Sequence, residues 1–199
     1  MKTVIVGCGR VGAALAEAFD RAGHEVIIVD RTTAAFDKLP DSFHGTALRG
    51  DGTDEDVLRR AGAADADLFL ALTEGDNRNT MSAQIAAEAL GARQVVAKIN
   101  DPLRAKAYAD LGLATICRTD LMLDAILAFV GLPTATRTGV QAPTGQHLGG
   151  DHHGMHDPVA AVPVAAVPVA AGLEIPGQAR PVPAGVEEPT TGAVAPKEA

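Results

Sequence analysis

Apolar residues in the first two-thirds of the chain alternate between short continuous runs and stretches where they recur every three or four positions. Lys2–Val6 is a β-branched run ending at glycine, which predicts a buried strand. From Arg10 to Ala22, Val11, Leu15, Phe19 and Ala22 fall on one helical face, and Gly23 marks the stop. Glu25–Val29 reads as a second strand ending at Asp30, followed by a helix near Thr32–Leu39 that Pro40 halts. A short strand near Thr46–Leu48, the loop Arg49–Thr53 and a short helix Asp54–Ala61 come next. The same rhythm continues: strand Asp67–Leu72, Ala-rich helix Asp76–Leu90, strand Gln94–Ile99, helix Pro102–Leu111 and strand Ala114–Cys117. A last helix, Asp120–Val130, has Leu121, Met122, Ala125, Ile126, Phe129 and Val130 on its apolar side.

Six strands therefore alternate with helices. Strand runs that are apolar throughout are those of parallel strands covered on both faces. Short loops impose right-handed crossovers and a doubly wound sheet. The expectation is an α/β, Rossmann-like, six-stranded parallel sheet in the order 3-2-1-4-5-6.

The pattern changes at Pro133. Ten of the 12 prolines lie from there onward, whereas all five Phe and the single Tyr lie before it. Ala, Val and Pro alone supply little large apolar surface for a core. The expectation is one nucleotide-binding domain over residues 1–132 and a low-complexity, disordered tail over 133–199. The tail repeats Pro-Val-Ala-Ala-Val from Pro158 and from Pro163, a composition that favours extended spacer conformations.

Charge narrows the function classes. Lys and Arg number 14 against 19 Asp and Glu up to residue 132, and 3 against 6 beyond it, within a net charge of −8. Neither part is basic, so nonspecific nucleic-acid binding is disfavoured. Two cysteines, Cys8 and Cys117, suit a reducing compartment. No leader-like or bilayer-length apolar segment is read, and the expected location is cytoplasmic.

The chemistry concentrates after the first strand. Gly7-Cys8-Gly9-Arg10-Val11-Gly12 is a G-x-G-x-x-G that follows a strand, opens a helix and has Asp30 at the end of the next strand. Gly7 permits the tight turn, Gly9 lets phosphates approach the backbone, and Gly12 lets the helix pack closely. The helix N-terminus stabilises phosphate charge. Asp30 can accept hydrogen bonds from both ribose hydroxyls and would oppose a 2′-phosphate, with Arg31 offsetting part of that repulsion. Arg10, on the first helical turn, can neutralise a further phosphate. Asp51, Gly52 and Thr53 follow the third strand at its C-terminal end, where open parallel sheets bind ligands. Asp51 can accept from an adenine amino group, and Thr53 or Asp54 can instead cap the next helix. Thr73 and Glu74 end the fourth strand across from the glycine loop, and Asp76 and Asn79 open the following helix.

These residues resemble the TrkA N-terminal domain family, also called RCK or KTN. The resemblance rests on Gly-x-Gly-Arg-x-Gly, Gly50-Asp51-Gly52-Thr53, Ala71-Leu72-Thr73, Asp76-Asn77-Arg78-Asn79 and Lys98-Ile99-Asn100-Asp101-Pro102. It implies a cytosolic regulatory subunit of a Trk/Ktr potassium uptake system, at the inner face of the plasma membrane through a channel partner. The ligand implied is NAD(H) or ATP/ADP, with nucleotide exchange gating ion flow. It also implies a homo-oligomer, or a hetero-oligomer with a second RCK subunit. By the same resemblance Gly7, Gly9, Arg10, Val11 and Gly12 surround the phosphates, Asp30 and Arg31 meet the ribose, Asp51 and Thr53 flank adenine, and Thr73 lines the cleft. The last helix then either docks on a partner subunit or simply covers the sheet. Thr119, with Asp120 beside it, stands where some members carry an acid near a cation. The Pro/Ala segment stands where many members continue into a second ligand domain.

The alternative is a small NAD-dependent oxidoreductase of the short-chain type. It requires a Tyr-x-x-x-Lys pair, in which the lysine lowers the tyrosine pKa. Tyr108 is the single tyrosine, Gly112 stands where the lysine belongs, and Ser42 and Ser82 are the two serines. No enzyme and no metal centre is expected. Two weaker signals remain: His152, His153 and His156, which read as a metal-binding cluster or as a polar patch, and Cys8, which reads as a small filler or as an oxidisable thiol whose pKa the helix N-terminus lowers.

Overall fold

The computed structural model describes residues 1–134 and the two-residue strand at 140–141. The histidine cluster, the Pro-Val-Ala-Ala-Val repeats and the reading of 133–199 as a disordered tail lie otherwise outside the described residues.

The strands are β1 (Lys2–Val6), β2 (Glu25–Asp30), β3 (Thr46–Arg49), β4 (Leu68–Ala71), β5 (Val95–Ile99), β6 (Ala114–Cys117) and β7 (Val140–Gln141). The helices are α1 (Arg10–Arg21), α2 (Glu55–Arg60), α3 (Asp76–Gln84), α4 (Pro102–Asp110) and α5 (Arg118–Phe129). The sheet runs β3-β2-β1-β4-β5-β6-β7. Its first six strands are parallel, in the order expected for a doubly wound fold, and β7 adds an antiparallel edge to β6 that the sequence reading lacked.

Side chains alternate across the sheet. Val4, Val6, Ile27, Val29, Phe69, Ala97 and Ile99 share one core with Leu58 of α2, Ala83 of α3 and Ala86 just beyond it. Ile5, Val26, Ile28 and Leu70 share the other with Ala13 and Ala16 of α1. Both faces are covered, which is why the strands read as unbroken apolar runs.

The buried face of α1 is not the one the spacing predicted. Gly12, Ala13 and Ala16 are buried, whereas Val11 is 57% exposed. The helix lies so close to the sheet that glycine and alanine fill the contact, and Leu15 and Phe19 pack at its margin. The segment expected to form a helix at Thr32–Leu39 is a 3₁₀ turn, Thr33–Lys38, with no buried residue. The expected helix to Leu90 is α3 continued by a π turn, Ile85–Ala89.

The sheet-covering reading of α5 fails. None of its residues is buried, and Leu121, Met122, Leu123, Ile126 and Phe129 are all exposed, Phe129 by 78%. Among the described residues, no helix is long and apolar enough to cross a membrane.

Candidate functional site

The loops after β1, β2, β3 and β4 enclose a cleft of about 420 Å³ at the C-terminal edge of the sheet. It sits where the strand order reverses between β1 and β4, the place where open α/β sheets bind ligands. Gly7, Gly9, Arg10, Asp30, Arg31, Asp51, Gly52, Thr53 and Thr73 all line it. Val11 and Gly12, read from the sequence as phosphate contacts, do not. Val11 turns to solvent, and Gly12 acts behind the loop.

The three glycines do different work. Gly7 adopts φ +107°, and a Cβ there would stand 2.9 Å from the Thr73 nitrogen, so β1 and the end of β4 approach through it. A Cβ on Gly12 would overlap the Gly7 carbonyl oxygen, so Gly12 sets the closeness of α1 to the loop. A Cβ on Gly9 would meet nothing within 4 Å. Its missing side chain leaves open space over the first turn of α1, where backbone N–H groups are unpaired.

Asp30 is already engaged. Its Oδ2 accepts from the Cys8 N–H at 2.8 Å and its Oδ1 from the Thr32 N–H at 2.9 Å. The carboxylate therefore pins the glycine loop to the end of β2, and it keeps further acceptor capacity at the cleft it lines. Cys8 is 1% exposed. Burial, with Asp30's charge beside it, pushes its thiol pKa up, against the lowering expected from the helix terminus.

Asp51 accepts from both the N–H (3.0 Å) and the hydroxyl (2.8 Å) of Thr53. The Thr53 backbone and hydroxyl bonds, with Arg31 and Arg78 nearby, hold its carboxyl below the usual range. Arg31 Nε lies 3.5 Å from Asp51 Oδ2, so the ends of β2 and β3 are joined across the rim. Capping of α2 falls to Asp54, which accepts from Asp56 and Val57. The Gly52 carbonyl accepts from the buried Ser82 hydroxyl at 2.6 Å.

On the other wall, the fully buried Asn79 spends its whole amide. Its Oδ1 accepts from the Thr73 N–H and hydroxyl at 2.8 and 2.6 Å, and its Nδ2 donates to the carbonyls of Thr73 and Lys98 at 3.0 and 2.8 Å. Asn79→Ala leaves these buried groups unpaired and opens a void. We expect a stability loss of about 2–4 kcal/mol by denaturant titration; a loss under about 1 kcal/mol would show that this knot is dispensable. Asp76 accepts from the N–H and side-chain amide of Asn100 at 2.9 and 2.7 Å, so it ties α3 to the segment after β5. Thr119 donates its hydroxyl to the Asn100 carbonyl at 2.6 Å. Among the described residues, no group of three or more His, Cys, Asp or Glu could hold a metal ion.

Lys38, Arg78 and Ser82 also line the cleft and were not read from the sequence. For Arg78 a signal existed: it stands on the first turn after β4, as Arg10 stands on the first turn after β1. Lys38 and Ser82 arrive by the tertiary path alone. Tyr108, needed by the oxidoreductase alternative, does not line the cleft. Its hydroxyl lies with Arg104 and Thr80, whose hydrogen bonds lower its pKa.

Three kinds of comparison bear on this geometry. The model of the TrkA-N domain family matches residues 3–119. The chain is 41% identical over 145 residues to the Trk system potassium uptake protein TrkA of Streptomyces coelicolor, covering 73% of this chain and 65% of that one. It is 34% identical over 102 residues to the TrkA of Vibrio alginolyticus, covering 51% of this chain and 22% of that one. It thus spans less than two-thirds of the length of these curated relatives. Among solved structures, the TrkA-N domain of the inner membrane protein ybaL from Escherichia coli matches with a TM-score of 0.58 at 15% identity, covering 65% of this chain and 96% of that one. The GsuK channel bound to NAD matches with a TM-score of 0.53 at 18% identity, covering 63% of this chain and 23% of that one. These structural likenesses concern the fold.

Proposed function

The chain belongs to the TrkA-N domain family, and on that premise we propose that it is a nucleotide-sensing regulatory subunit of a potassium uptake system. It binds NAD(H) or ATP/ADP in the cleft between β1 and β4, and a conformational change on nucleotide exchange alters ion flow through a membrane partner.

One observation carries the reading. A glycine loop, a carboxylate at the end of β2 and an unspent guanidinium on the first turn of α1 converge on one cleft at the switch point of the sheet. The loop with its helix N-terminus suits phosphates. Asp30 suits a ribose diol, and its charge disfavours a 2′-phosphate. Asp51 and Thr53 flank the place of the base. The naming of the curated relatives as potassium uptake proteins, and of two structural neighbours as the GsuK channel with NAD and with ADP, supports the ligand class and the kind of partner. The exposed apolar side of α5 supports docking on a second copy or a companion subunit, because surface apolar patches of this kind mark association.

Deleting the chain's gene from its host tests the function. Potassium uptake should change measurably on deletion. Wild-type sequence should restore it, and Asp30→Ala should not. Uptake identical with and without the chain would refute the regulatory role.

A further inference from the structure

The charge around the cleft is not spent evenly. Arg10, Arg31, Lys38 and Arg78 line it, with Asp30, Asp51 and Glu74 among the acids. Arg31 is taken up by Asp51, and Lys38 donates to the carbonyl of Ala35 on its own turn. Asp30 and Asp51 have backbone N–H partners. Arg10 and Arg78 remain. Among the described residues neither guanidinium makes a hydrogen bond or an ion pair.

These two arginines come from the first turns of helices on opposite walls. Arg10 opens α1, which follows β1, and Arg78 is in the first turn of α3, which follows β4. β1 and β4 are adjacent strands, and the topology reverses between them. The Arg78 guanidinium folds over Gly75. Its Nε stands 3.2 Å from where a Cβ on that glycine would be, so any larger residue there would press on it. Arg78 lines the cleft, and its charge helps hold the Asp51 carboxyl on the far rim below the usual range.

We propose that Arg78 is a phosphate-binding residue, closing with Arg10 a two-sided guanidinium clamp on the diphosphate of the bound nucleotide. The assignment rests on the nucleotide reading of the cleft and goes beyond it, because it locates the second phosphate contact on α3. A planar guanidinium suits this task, since it offers paired donors to phosphate oxygens.

The test is isothermal titration of the full chain, wild type, Arg78→Ala and Arg78→Lys, with adenosine, AMP, ADP and NAD. Arg78 is exposed, so the variants should fold, and their melting temperatures verify it. Losing a charge-assisted contact should weaken ADP and NAD binding by about tenfold or more, leave adenosine unchanged, and affect AMP least among the phosphorylated ligands. Arg78→Lys should recover part of the loss, because it keeps the charge without the fork. Unchanged ADP affinity in Arg78→Ala would overturn the clamp while leaving the nucleotide reading intact. An equal loss for adenosine and ADP would also overturn it, since the effect would not follow the phosphates. If the wild-type chain bound neither ADP nor NAD, the clamp would fall, and if NADH and ATP also failed to bind, the nucleotide reading would fall with it.

Discussion

Gly12→Ala will unseat α1 and weaken nucleotide binding by about a hundredfold or more. Elsewhere in a helix, replacing glycine by alanine stabilises by about 0.5–1 kcal/mol through backbone entropy. Here the sign reverses, because the added Cβ would overlap the Gly7 carbonyl oxygen. That atom belongs to a loop whose own position is fixed by the Gly7 N–H donating to Val29 O at 2.7 Å and by the Cys8 N–H bond to Asp30. Helix and loop must therefore separate, and Ala13 and Ala16 lose contact with Ile5 and Ile28. Overpacking of this kind costs about 1–3 kcal/mol, which should lower the melting temperature by several degrees. Binding should fall by about a hundredfold or more, since the phosphate loop and the helix N-terminus are the parts displaced. Calorimetric titration and a melting curve measure both. Wild-type stability with wild-type affinity would show that α1 accommodates the methyl group.

Asp30→Ala should be the most damaging change among the polar residues of the cleft. It removes the acceptor expected to hold the ribose diol and also releases the N–H groups of Cys8 and Thr32. Charge-assisted bonds contribute about 1.5–3 kcal/mol each, so a loss of about a hundredfold in NAD(H) or ADP affinity is expected. Asp30→Asn keeps one acceptor and should fall between. The 2′-phosphate penalty should shrink in both variants, narrowing the gap between NADH and NADPH. An unchanged NADH affinity in Asp30→Ala would remove the ribose role.

The parallel sheet was legible because strands buried on both faces carry no polar alternation, as Val26–Val29 and Val4–Val6 show. The glycine loop was legible because its spacing serves a local turn, and Asp30 because it ends the strand that follows the loop's helix. The reading failed where tertiary closeness outweighs periodicity. On α1, Val11 matched the apolar stripe yet faces solvent, since a close-packed helix buries glycine and alanine instead. Asp76 reads as a cap or a ligand contact, and it is instead a tether to Asn100, a partner 24 residues away that no local pattern reveals. Lys38 and Ser82 reach the cleft only through the path of the folded chain, and a two-residue edge such as β7 is too short to leave a pattern. α5 remained ambiguous in the sequence because an apolar stripe looks the same whether it meets a sheet or a second molecule.

Nucleotide binding by the cleft is the premise on which the regulatory role, the clamp and both substitutions depend. A thermal-shift series of the full chain with NAD, NADH, NADPH, ATP and ADP tests it directly. A ligand at a hundred times its Kd stabilises the folded state by about 2.7 kcal/mol. At least one of NAD, NADH, ATP and ADP should therefore raise the melting temperature by several degrees, with NADPH below NADH. A melting temperature unmoved by every adenine nucleotide would contradict the account.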